Sequence, residues 1–145
     1  MEKIYDRLKK LLHNLLPKKI EIKKIKLQKE IISEIIRQAK AHFPKEFISL
    51  LQGKIENNIL EINNLIYQEY YSSEKSATMN FDLPMVSGVV GSVHSHPSVS
   101  NSPSQQDLQF FSKKGYVHII ISYPFKKENM ACYDFKGRRI DCEIY

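Results

Sequence analysis

His94-Ser95-His96-Pro97 closes an apolar run, and Ser104-Gln105-Gln106-Asp107 follows it across a Ser- and Pro-rich loop. Histidines at i and i+2 on a strand point to the same face, because the side-chain period there is two, so both imidazoles can reach one ion. Asp107, where a helical pattern opens, adds a carboxylate to them. Three nitrogen and oxygen donors leave a fourth tetrahedral position open, the arrangement of a catalytic rather than a structural zinc.

The elements around this stretch follow from composition and period. Residues 88–94 form the apolar strand that feeds the histidines, and Gly88 and Gly91 permit close backbone approach beside them. Ser102-Pro103-Ser104-Gln105 reads as a helix start, with Ser102 as N-cap, Pro103 at the first helical position and Gln105 three residues after the cap. Asp107 is then expected in the second turn, with Leu108 and Phe111 anchoring the helix in the core. Residues 116–123 are a strongly apolar strand expected near the sheet centre. Residues 130–135 and 139–145 are expected to pair as a hairpin about Gly137.

Upstream, residues 46–53 read as a buried strand closed by Gly53 and paired, through Glu56-Asn57-Asn58, with a strand over 59–67. Residues 28–42 carry Ile31, Ile32, Ile35, Ile36 and Ala39 at helical spacing, with Phe43 continuing that face and Pro44 ending it. Residues 20–27 are β-branched and partly alternating, a strand with an irregularity at Lys23-Lys24. Residues 68–78 lack a clear period and suggest an exposed connection or an edge segment; Asp82-Leu83-Pro84 is a turn. Residues 2–16 form an amphipathic helix that Pro17 ends, expected to pack on its own domain or on a second copy. The pattern is a single mixed α/β domain, residues 19–145, preceded by a helical extension over 1–18.

Composition narrows the function classes. At 145 residues the chain fits one domain with a real core, and 42% apolar with 26% charged residues is globular rather than disordered. The net charge of +6 would suit nucleic acid or an acidic partner. Lysines such as Lys23, Lys24, Lys26 and Lys29 are scattered through amphipathic segments, however, whereas base-reading surfaces concentrate arginine and exposed aromatics, so a solvated surface is expected and no nucleic acid. No apolar run approaches the roughly 18 residues that span a membrane, and no signal peptide is visible, so a cytoplasmic location is the expectation. Cys132 and Cys142 lack Cys-x-x-Cys spacing, which argues against a zinc cluster. The hairpin about Gly137 would bring them near enough to bridge, but without an export signal free thiols are expected.

Hydrolysis at such a metal also needs a group that accepts a proton from water and returns it to the leaving nitrogen. Glu46 stands out, since it follows Pro44 at the head of the apolar run 47–51, whereas Glu21, Glu30, Glu34 and Glu61 fit solvated positions. The residues alone leave open whether Glu46 is that base or a surface charge that starts a strand. His118, inside an apolar strand, is expected to be a satisfied core histidine, and His13 and His42 to lie at the surface. Ser95 should face away from the ligands and support their loop, and the hydroxyls of residues 98–102 should satisfy backbone groups.

Together, Glu46 after Pro44-Lys45, then His94-Ser95-His96-Pro97, then Ser104 and, after two intervening residues, Asp107 resemble the JAMM motif of the MPN+ metalloproteases, and most nearly its small stand-alone archaeal, desampylase-like members, over about residues 20–145. The resemblance implies a cytidine-deaminase-like α/β fold, a curved mixed sheet flanked by helices. It also implies a Zn2+ held by His94, His96, Asp107 and a water, Glu46 as general acid/base, and Ser104 as a support for the tetrahedral oxyanion. The family's reaction is hydrolysis of peptide or isopeptide bonds after the C-terminal glycine of a ubiquitin-like protein. The archaeal substrates are small modifiers that double as sulfur carriers, so such a protein and its conjugates are the expected partners, together with a homodimer through the N-terminal helix. The alternative is a non-catalytic MPN-type module that binds a ubiquitin-like protein or a complex subunit, but relatives of that kind typically lose ligands, and none is missing here. A zinc base deaminase would need a His- or Cys-x-Glu with a Pro-Cys-x-x-Cys pair, and neither occurs.

Overall fold

The computed structural model describes residues 3–8, 20–66, 70–72, 77–79, 88–113 and 115–145. In order they form β1 (Lys24–Leu27), α1 (Lys29–His42), β2 (Ile48–Glu56), β3 (Ile59–Ile66), β4 (Tyr70–Ser72), β5 (Ala77–Met79), β6 (Val89–His96), α2 (Gln105–Lys113), β7 (Val117–Ser122), β8 (Met130–Asp134) and β9 (Cys142–Ile144). A 3-10 turn over Lys127–Asn129 precedes β8. Residues 3–8 are helical and exposed; the rest of the expected 2–16 helix, His13 and the turn at 82–84 lie outside the described residues. No helix among the described residues is long and apolar enough to cross a membrane.

Seven strands make one mixed sheet in the order β8-β7-β6-β2-β3-β1-β9, and β4 pairs with β5 in a separate hairpin. The histidine-bearing β6 lies between β2, which it pairs antiparallel, and β7, which it pairs parallel. The β6–α2–β7 unit is therefore a crossover whose helix covers one face, the topology that parallel neighbours require. Helix α1 covers the other face. Ile32, Ile35 and Ala39 on its apolar stripe pack with Leu51, Val93, Ile119 and Ile121 in the larger core cluster. Phe111, Ile120, Ala131 and Tyr133 form a smaller cluster under α2, with Leu108 and Phe110 against it. Successive residues of β7 serve opposite faces, and all six are buried, so β7 is saturated with apolar contact on both sides.

Several expected boundaries shift for local reasons. β1 starts only at Lys24, where its parallel pairing with β3 begins; just before it, the Lys23 amide donates to Asn58 O and the Asn58 side chain to Glu21 O. Gly53 does not close β2. It lies inside the strand at a register shift, where a Cβ would fall 2.1 Å from Glu61 O, the close approach that glycine admits. The β2–β3 turn is made by Asn57 and Asn58, both with positive φ, as a two-residue hairpin needs. Gly91 meets the same requirement in β6, since a Cβ there would sit 1.7 Å from Val117 O. Phe43 leaves the α1 face, is 45% exposed, and stacks on Tyr123 at 5.2 Å.

The expected C-terminal hairpin is corrected. Only a short piece after Gly137 pairs with β8, through a single Tyr133–Arg139 bridge. The chain then crosses to β1, where β9 adds in parallel at the opposite edge of the sheet. Lys24 and Glu143 form an ion pair across that ladder.

Candidate metal centre

Alternation along β6 sends Val93 into the α1-side core and turns His94 toward Phe111 of α2, with ring centroids 6.4 Å apart. His96 follows on the same face. Their Nε2 atoms are 3.1 Å apart, and Asp107 reaches both, with Oδ1 3.3 Å from His94 Nε2 and Oδ2 3.2 Å from His96 Nε2. Bonds of about 2.0–2.1 Å, such as zinc makes to nitrogen and oxygen, place tetrahedral donors about 3.3–3.4 Å apart. The three separations thus match one small tetrahedral ion, and this cluster is one that could hold a metal. His94 is buried, while His96 and Asp107 are partly exposed, so the donors close a site from beneath and leave its outer side accessible.

The donors are oriented by bonds outside the cluster. His96 Nδ1 lies 2.9 Å from Ser100 O; a carbonyl can only accept, so Nδ1 carries a hydrogen and Nε2 is the ring atom turned to the cluster. Ser100 O is a backbone group and offers no side-chain signal in the sequence. The loop carrying it is itself tied down. Tyr133 donates its hydroxyl to Asn101 O at 2.8 Å, the Tyr123 amide bonds Ser98 O at 3.0 Å, and Ser100 Oγ accepts the Ser102 amide at 3.3 Å.

The N-cap of α2 is corrected from Ser102 to Ser104. Ser104 Oγ accepts the Asp107 amide at 3.1 Å, and Asp107 Oδ2 accepts the Ser104 amide at 2.9 Å. This is a capping box in which aspartate replaces the usual glutamate, and it puts Asp107 in the first turn rather than the second. The shift has a chemical consequence, because the same reciprocal pair that starts the helix aims the carboxylate at the histidines. Burial opposes the charge on Asp107, but the bonds from His94 and His96 and the Ser104 amide overcome it and hold the carboxyl far below the usual carboxylate range. Burial likewise works against a charged His96, yet its bonds to Asp107 and Ser100 O and the charges of Asp107 and Glu46 raise its pKa above the ordinary imidazole value. The cluster is anion-rich and suited to a cation.

Glu46 is partly buried just ahead of β2, whose Ile48 pairs with His94, and its charge is felt at His96. Ser95 makes this juxtaposition. Facing the side opposite the ligands, its hydroxyl accepts the Phe47 amide at 2.8 Å, and its own amide donates to Phe47 O at 2.9 Å. The residue between the two histidines thus clamps the residue after Glu46, a role beyond the loop support expected of it. Ser95→Ala leaves the buried Phe47 amide without this acceptor, so a loss of about 1–3 kcal/mol is expected, read as a lower denaturant midpoint at unchanged slope.

His118 lies in the core as expected, with Nδ1 the ring nitrogen that is satisfied. It is buried, hydrogen bonded through Nδ1 to Ser92 Oγ at 2.7 Å and stacked on Phe111 at 4.2 Å. His42 is half-buried rather than at the surface, with Nδ1 donating to Gln38 O at 2.8 Å.

Comparison with known proteins agrees with this geometry. The family model for prokaryotic homologs of the JAB domain matches residues 28–136. A protein of Haloferax volcanii described as a probable metalloprotease is 33% identical over 109 residues, covering 70% of this chain and 67% of its own length. A solved structure described as "JAMM: A Metalloprotease-like Zinc Site in the Proteasome and Signalosome" superposes with a TM-score of 0.65 at 34% identity, over 83% of this chain and 97% of that one. A JAB1/MPN domain protein from Archaeoglobus fulgidus superposes with a TM-score of 0.63 at 31% identity, over 83% and 96% of the two chains. With its mixed seven-stranded sheet, its helix on either face and a family match that includes every residue of the donor cluster, this chain belongs to the prokaryotic homologs of the JAB domain and has the JAMM/MPN fold.

Proposed function

We propose that the chain is a zinc metalloprotease that hydrolyses the peptide or isopeptide bond after the C-terminal glycine of a ubiquitin-like protein. The observation that carries the reading is the convergence of His94, His96 and Asp107 at tetrahedral donor spacing with Glu46 held beside them. Zinc in such a site supplies Lewis acidity and makes water acidic near neutral pH. Glu46 takes the proton of the attacking water and returns it to the leaving nitrogen. Ser104 spends an oxygen lone pair on the Asp107 amide, which leaves its own hydroxyl hydrogen for the developing oxyanion, at a helix N-terminus where the backbone also favours negative charge.

A protein substrate suits the rim. Val99 follows the histidine loop and is 79% exposed; Phe43 and Tyr123 stack nearby with exposed faces, and Lys45 and Lys126 are exposed beside them. An apolar patch with basic neighbours fits a partner with an apolar, partly acidic face. The N-terminal helix, exposed at Ile4, Tyr5 and Leu8, is assigned to contact with a second copy. The test is incubation of the zinc-loaded chain with linear and isopeptide-linked conjugates of candidate modifiers. Release of a modifier ending in its natural glycine supports the proposal; intact conjugates throughout the panel, with only binding detected, would favour the non-catalytic module.

A further inference from the structure

Cys132 and Cys142 are the chain's two cysteines, and they meet where the two ends of the sheet come together. Cys132 belongs to β8 at one edge, and Cys142 opens β9 at the other. Five strands separate them along the sheet, so pairing within the sheet does not bring them close. Residues 138–141 do. The Asp134 amide donates to Arg138 O at 2.8 Å and the Ile140 amide to Cys132 O at 2.9 Å, which keeps this segment on the β8 edge. One residue later the Ile25 amide takes Asp141 O at 3.1 Å, and Cys142 aligns with Ile25 in the parallel ladder of β1 and β9. The chain passes from edge to edge in that short span, which sets both cysteines in the lining of one cavity.

Both pack against the larger core cluster, Cys132 buried and Cys142 partly exposed. Both also line a cavity of about 610 Å³, along with Lys127, Met130 and Arg139. The neighbouring Cys142 together with burial pushes the Cys132 thiol up, while the neighbouring Cys132, against burial, draws the Cys142 thiol down, so the more accessible sulfur is the readier of the two to ionise. Among the described residues the sole donor group suited to a metal is the histidine–aspartate cluster, which leaves the thiol pair with redox chemistry.

We infer that Cys132 and Cys142 are a reversible disulfide site, oxidised by a peroxide and reduced by a small thiol, which staples the two edges of the sheet through β8 and β9. The Cys142 thiolate attacks one peroxide oxygen, the O–O bond breaks, and with the proton shed by the thiol the other oxygen leaves as water. Cys132 sulfur then attacks the resulting sulfenic acid, forming the S–S bond, and its proton leaves with the sulfenic oxygen as a second water. Two thiols lose two electrons in total and the peroxide gains them. Reduction reverses this by attack of one small thiol and release of the mixed disulfide by another.

The test treats the full chain with hydrogen peroxide and blocks remaining thiols with iodoacetamide. Lys136, Arg138 and Arg139 lie between the cysteines, so trypsin separates them unless the bond has formed. The expected result is a Cys132–Cys142 cross-linked peptide from monomeric protein, disappearance of both titratable thiols, their return with dithiothreitol, and a thermal midpoint raised by about 5 °C or more in the oxidised form. Cys142→Ser and Cys132→Ala should each abolish the midpoint shift. Persisting thiols, disulfide-linked dimers, or sulfinic acid on Cys142 without a cross-link would overturn the inference, and each is read on the wild-type chain, whatever the variants' folding.

Discussion

Glu46→Gln is expected to lower the turnover of a modifier conjugate by about 10²–10⁴-fold, the range a positioned general acid/base supplies, with metal content and thermal midpoint unchanged. The amide keeps the size and much of the hydrogen bonding of the carboxylate but accepts no proton from water. Glu46 precedes a backbone clamp made by Phe47 and Ser95, so its place in the site is set by main-chain bonds that the substitution leaves intact. Stoichiometric zinc measured beside steady-state rates separates the two effects. A variant that keeps full activity would remove Glu46 from the mechanism, and one that loses its metal would make it a structural residue instead.

His96→Ala should do the reverse and lose the metal first. It removes one of three donors and with it the 3.1 and 3.2 Å contacts to His94 and Asp107 through which the cluster closes. Removing an outer partner of a metal ligand typically costs 10–100-fold in affinity, so removing the ligand itself should cost at least about 10²-fold. Cleavage should fall with occupancy. His96 sits at the end of β6 with its ring toward the site rather than the apolar core, so the fold should persist, and far-UV circular dichroism with metal analysis on the same sample checks both halves. Zinc retained at full stoichiometry would place the ion elsewhere.

How much of this was legible in the sequence depended on whether the signal was local. The i, i+2 histidines, the capped helix after them and the apolar strand at 117–122 are short-range patterns, and each lies within a residue or two of its expected place. The cap itself is ambiguous in sequence because Ser102 and Ser104 are both good caps; Asp107 decides between them, since its carboxylate accepts the Ser104 amide. Gly53 reads as a terminator in sequence, yet here it relieves a clash with Glu61 O, a contact that depends on register. The C-terminal hairpin failed for a similar reason. Val117 to Ile121 pair with all of β8, and the open side of β1 gives residues 142–144 a ladder that a hairpin about Gly137 would have left empty. Glu46 and the histidines are visible in the chain, but the Ser95–Phe47 clamp that brings them together joins positions 48 residues apart and follows from no local pattern.

On the proposed function, protease activity depends on one metal held by His94, His96 and Asp107. The decisive measurement strips the protein with a chelator and titrates zinc back while following conjugate cleavage. Activity should disappear on stripping and return in proportion to added zinc, saturating at one ion per chain. Full cleavage by the metal-free chain, or zinc bound at that stoichiometry with no cleavage of any conjugate, would contradict it.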